Sequence, residues 1–130
     1  SFVETLRHLV FITDSWASRT VLDEPVPFHR IALPQTAYAP ADAAALGMDL
    51  TADPSYDEVV QVRAGRQDVV RRILADLTDS DLGRAVSRSP APGYPEEDRA
   101  VADCLAVVLE EECEHLRFAQ RDLAALERRP

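Results

Sequence analysis

The sequence predicts an all-α protein, an up-down four-helix bundle represented by about three long helices joined by long loops. Three observations carry this. Two Ser-x-x-Glu capping boxes, at Ser1–Glu4 and Ser55–Glu58, each precede an apolar run with helical spacing. Leucine, valine and alanine dominate, while aromatic residues make up only 6%, a composition suited to helix-on-helix packing. No segment alternates apolar and polar residues over a useful strand length, and there is no repeat or low-complexity tract.

The first helix is expected from Ser1 to about Leu22, ending before Pro25. Phe2, Val3, Leu6, Leu9, Val10, Phe11, Ile12, Trp16, Val21 and Leu22 cover most of its circumference. A helix apolar on so many sides is central in its fold. Because it opens on residue 1, the expectation is a chain truncated at its N-terminus, lacking an earlier helix.

Residues 23–54 hold Pro25, Pro27, Pro34, Pro40 and Pro54 without a sustained helical period. Loops of this length are functional lids or disordered segments, here with room for a short helical turn at Ala41–Leu46. A second helix follows to about Leu77, with Val59, Val62, Val69, Val70, Ile73 and Leu77 as its stripe. Arg66 falls inside that stripe, where a cation is costly unless paired. Arg66, and Arg63 one turn earlier, have Glu112 and Asp122 as prospective partners; an anionic substrate group is the alternative. Thr78–Leu82 can add a helical turn, and Pro90, Pro92, Gly93 and Pro95 mark a second loop.

The last helix is expected from about Arg99 to Glu127, with Val101, Leu105, Val108, Leu109, Leu116, Ala119, Leu123 and Leu126 on one face. Cys104 and Cys113 sit roughly 13 Å apart along it on opposite faces, so they cannot form a disulfide within the chain. Both read as small core or boundary residues. Trp16 and Tyr56 read as packing residues, and Asp14 as a helix-surface acid or a group supporting a ligand.

With 130 residues, residues 1–130 form a single domain. A formal charge of −9 disfavours nucleic acid and anionic membranes as partners. The arginine pairs Arg71–Arg72 and Arg128–Arg129 lie beside carboxylates on what reads as a solvated face. Charged residues interrupt the Phe2–Val21 stretch, so it is no signal peptide. No apolar run approaches the ~20 residues that span a bilayer. The expected location is the cytoplasm.

The middle of the last helix breaks its own pattern with Glu110, Glu111, Glu112, Glu114 and His115. Glu111 and His115 are i and i+4, so their side chains leave one face a turn apart and can share an ion. Among the histidines on other segments, His8 on the central helix is a better third ligand than His29 in the proline-rich loop. From the residues alone, ordinary alternatives stand beside this reading: a solvated acidic face for Glu111 and His115, and a backbone-bonded histidine at the core edge for His8. Glu112 reads as a group orienting a ligand; a di-iron role would need a second Glu-x-x-His pair, and none exists.

Ser1-Phe2-Val3-Glu4-Thr5-Leu6-Arg7-His8-Leu9-Val10, with Asp14 and Trp16, resembles the ligand-bearing helix of the DinB-like superfamily. Glu111-Glu112-Cys113-Glu114-His115 followed by Phe118-Ala119-Gln120-Arg121-Asp122-Leu123 resembles its closing helix. The resemblance implies a four-helix bundle with a three-ligand metal site, usually three histidines. In the related mycothiol-dependent maleylpyruvate isomerases a glutamate stands four residues before the last histidine, as Glu111 does here. It therefore implies His8, Glu111 and His115 as ligands, with Glu112, Arg66 and Asp122 as supporting or substrate-contacting residues. The implied cofactor is a divalent metal, zinc first and nickel or iron next, together with a low-molecular-weight thiol. The implied activity is a thiol-dependent transferase or isomerase in which the metal activates a thiol or water on a small-molecule substrate. The alternatives are a binding or sensing domain without catalysis, and a structural bundle without metal. A homodimer is a further expectation, through apolar surface left by a missing helix.

Overall fold

A computed structural model describes residues 1–128; Arg129, half of the Arg128–Arg129 pair, lies outside the described residues. The chain folds into three long helical rods with short helices between them. The first rod is α1 (Phe2–Ile12), continued without a break by a π-helical segment, Thr13–Val21. Then come α2 (Pro40–Ala45), α3 (Tyr56–Asp76), α4 (Asp79–Leu82) and α5 (Val101–Glu127). The only strands among the described residues are β1 (Ala85–Val86) and β2 (Arg99–Ala100). They pair antiparallel, Ala85 opposite Ala100. The all-α reading holds.

The Ser1 box closes in both directions: its side chain accepts from the Glu4 N–H, and the Glu4 carboxylate answers the N-cap backbone. Ser55 caps α3 by accepting from the Glu58 N–H. Glu58 does not complete that box, because its carboxylate takes Arg30 at 2.8 Å instead. Asp23, at φ 59°, occupies the left-handed position that stops a helix, two residues before Pro25.

The sequence predicts α-helix to Leu22 for the first rod, and its second half is π-helical instead. Thr13-Asp14-Ser15-Trp16-Ala17-Ser18-Arg19-Thr20-Val21 is poor in strong α-formers, and its hydroxyls compete for backbone carbonyls. Thr20 Oγ1 donates to the Ser15 carbonyl at 3.2 Å. The widened turn buries seven of these nine residues, Asp14 among them, which corrects its reading as a surface acid.

The rod is central, flanked by α3 on one side and α5 on the other. The main core gathers Val10, Phe11 and Ala17 of the rod with Ile73 of α3 and Val101, Leu105 and Val108 of α5. The proline-rich segment is no free lid. Phe28, Ile31 and Ala32 are buried, Phe28 stacks on Phe11 with ring centroids 5.6 Å apart, and the Leu33 N–H donates to the Arg7 carbonyl at 3.2 Å. Arg7 Nε, itself buried, donates to the Ile31 carbonyl at 2.8 Å.

The apolar stripe of α5 is core only in its first half. Leu105 is 4% exposed, whereas Leu116 and Leu123 are 58% and 61% exposed, because among the described residues no helix lies against that face beyond the site. Cys104 is buried as expected, and Cys113 is exposed rather than a boundary residue. No helix among the described residues is long and apolar enough to cross a membrane.

Candidate metal centre

His8 lies in the middle of α1 and projects toward α5. Its Nδ1 stands 3.3 Å from the Leu33 carbonyl. A carbonyl only accepts, so Nδ1 carries a proton, and in the neutral ring Nε2 keeps its lone pair. The proline-rich segment thus fixes the tautomer of the neutral ring. The histidine bonded to the backbone and the histidine that faces Glu111 are one and the same residue.

Glu111 and His115 reach the same point from successive turns of α5. Glu111 Oε2 lies 3.5 Å from His8 Nε2 and 3.3 Å from His115 Nε2. The imidazole rings of His8 and His115 stand edge to face, with centroids 5.3 Å apart, and one donor atom from each residue lies within 4.8 Å of the others. These separations are long for charge-assisted hydrogen bonds, which close to about 2.7–2.9 Å. They match donors around an ion: nitrogens and oxygens at 2.0–2.2 Å from a tetrahedral centre stand about 3.4 Å apart. The three side chains, 13%, 33% and 24% exposed, are half-buried. They face a cavity of about 480 Å³ that Gln35, Glu114 and Phe118 also line. The donor set fits a divalent ion with a side left open for a small molecule.

The supporting residues follow the sequence expectation for Arg63, which pairs with Glu112, and depart from it for Arg66, Asp122 and the orienting role of Glu112. Glu112 turns away from the centre and receives a two-pronged clamp from Arg63, Nη1 to Oε1 at 2.6 Å and Nη2 to Oε2 at 2.7 Å. This clamp bridges α3 to α5 and holds the rotation of α5 about its axis. Arg66 pairs with neither Glu112 nor Asp122. Its Nε donates to Asp14 Oδ1 at 2.7 Å, because the π turn swings Asp14 under α3. Asp14 also accepts the His29 backbone N–H at 2.9 Å. Burial nevertheless pushes the Asp14 carboxyl up to about 6, with Arg66 and the His29 N–H pulling the other way. Asp122 lies further along α5, where Arg121 pairs with it at 2.8 Å.

His29 is placed away from the three donors. Its Nδ1 accepts the Ile31 N–H at 3.2 Å, and burial, then the Arg66 and Arg30 cations, lower its pKa. It is a neutral turn residue. Two contributors had no signal in the sequence: the Leu33 carbonyl, which acts through backbone geometry, and Gln35, an exposed loop residue brought over the cavity by the path of the proline-rich segment.

No curated protein and no solved structure matches the chain. The pattern of the DinB superfamily does, over residues 1–119, a span that holds the whole of α1 and the α5 turns carrying Glu111 and His115. Since that span takes in nearly the whole sequence, the chain belongs to the DinB superfamily.

Proposed function

We propose that this chain is a divalent-metal protein acting as a small-molecule enzyme of the thiol-transferase or isomerase type, working in the cytoplasm. One observation carries the reading: two imidazole nitrogens and a carboxylate oxygen spaced as donors around an ion, beside a cavity open on one side. Zinc is favoured, and nickel or iron suits the same donors. The ion would supply Lewis acidity, lowering the pKa of a thiol or water held next to it.

The chain's own residues do the rest. Leu33 holds the proton on His8 Nδ1 so that Nε2 faces the centre. The Arg63–Glu112 clamp keeps Glu111 and His115 pointed at His8. Phe118 shields one wall from water, and the Gln35 amide offers a donor and an acceptor to a polar group of the substrate. With one carboxylate among three ligands, the loaded site would carry a net positive charge and hold an anionic nucleophile.

The test is metal content by plasma mass spectrometry on wild type and His115→Ala, purified without chelator or histidine tag. Near-stoichiometric metal in the wild type, lost in the variant, supports the centre. A wild type that stays metal-free after incubation with zinc and with nickel would sink it. Metal-loaded protein inert toward every thiol and electrophile pair tried would leave a binding or sensing domain.

A further inference from the structure

A second cavity, of about 550 Å³, runs between the first turns of α1 and the C-terminal half of α5. Phe2, Phe118, Ala119, Leu123 and Leu126 make its walls, and all of the large ones are exposed in the folded chain. Its inner end is His115, and His115 and Phe118 are also walls of the cavity at the metal centre. The two cavities therefore meet at these two side chains, whose rings stand edge to face with centroids 6.0 Å apart. No arginine lines the groove among the described residues, and its one side-chain carboxylate, Asp122, is paired with Arg121.

We propose that this groove is the specificity pocket of the centre, and that the substrate carries an uncharged apolar body, alkyl or aryl, along it. The reacting group then stands at His8, Glu111 and His115. The inference rests on the proposed metal centre and adds the class of molecule it takes. The volume lies within the few hundred to one thousand Å³ of small-molecule sites. The large side chains of the walls, Phe2, Phe118, Leu123 and Leu126, reward apolar area. A charged tail would lose water and find no free partner, since the two charged groups that line the groove, the Ser1 ammonium and the Asp122 carboxylate, are already paired with Glu4 and Arg121. The chemistry thus disfavours substrates charged at both ends.

The experiment is an NMR titration of the full chain with primary alcohols from 1-butanol to 1-heptanol. Affinity should rise about threefold to fourfold per methylene, the factor that burying one methylene supplies. Shifts should concentrate on Phe2, the His115 ring and amides 118–126. Ala119→Trp, which fills the groove, and Leu123→Glu, at an exposed position, should each weaken 1-heptanol binding at least tenfold with metal content unchanged. A flat chain-length series, or full binding by both variants, would overturn the inference. So would light scattering that shows a dimer whose dissociation by Leu123→Glu frees the groove, because a second copy would then be its occupant. Binding of the alcohols by a chain that takes up no metal would remove the metal-centre reading and keep the groove. Metal uptake without alcohol binding would do the reverse.

Discussion

Replacing Glu112 by glutamine tests how α3 is held to α5. Arg63 is 9% exposed and Glu112 is 30% exposed at the side chain, joined by two bonds of 2.6 and 2.7 Å. Removing one partner of a fully buried pair costs about 3–5 kcal/mol, because a charge is stranded in the interior. Water reaches nearly a third of Glu112, so screening lowers the expectation to about 2–3 kcal/mol. Urea denaturation of wild type, Glu112→Gln, Arg63→Met and the double variant Arg63→Met/Glu112→Leu measures it. Both single variants should lose about 2–3 kcal/mol, seen in melting as roughly 10 °C. The double variant should recover most of the loss, since a well-packed apolar pair is close to neutral against an ion pair. A Glu112→Gln variant within about 0.5 kcal/mol of wild type would refute the clamp. Losses that simply add in the double variant would show that the two residues act independently.

Asp14 predicts a pH dependence with a definite sign. Its folded pKa, about 6, is above the ordinary 3.8, so its contribution is fully present below about pH 4 and is lost as pH rises through 6. Wild type should lose up to about 3 kcal/mol relative to Asp14→Asn between pH 4 and 7 in parallel urea titrations, and parallel curves would contradict the burial of that carboxyl. Leu105→Ala should cost about 2–5 kcal/mol and Leu116→Ala less than about 0.5 kcal/mol, although both lie on one helical stripe; equal costs would mean the exposed half is covered in solution. Zinc at a hundredfold excess over its dissociation constant should add about 2.7 kcal/mol to wild-type stability. It should add nothing to His8→Ala, and a shared shift in both would place zinc elsewhere.

Local signals were legible in the sequence and rotational ones were not. Ser1, Ser55 and the prolines at 25 and 54 bounded two rods because capping and ring closure act within a turn. Glu111 and His115 were legible as a pair because they share one helix, and His8 because the helix carrying it is apolar nearly all round. The partner of Arg66 was not. Each π turn takes an extra residue, so beyond Ile12 the side chains lose the α-helical phase, and Asp14 goes beneath α3 rather than outward. Nor did periodicity reveal that α5 is buried at Leu105 and bare at Leu116, because a stripe records an apolar face and not what stands against it. Gln35 came to the site through the path of a loop, which no spacing rule encodes.

The rods carrying His8 and Glu111 belong to the first and last long helices, so roughly a hundred residues separate the two donors along the chain. An unfolded chain brings such distant groups together rarely, at a closure cost that a covalent bridge of that span would offset by about 4.7 kcal/mol. An ion gripped by all three donors would act as a removable clasp over nearly the whole polypeptide. Half of the site, the turn with Glu111 and His115, forms as soon as α5 does; the other half waits for α1 to dock and for Leu33 to set the His8 ring. Metal retention would then be a readout of completed folding, and any change that loosens α1 from α5 should appear first as a faster loss of the ion.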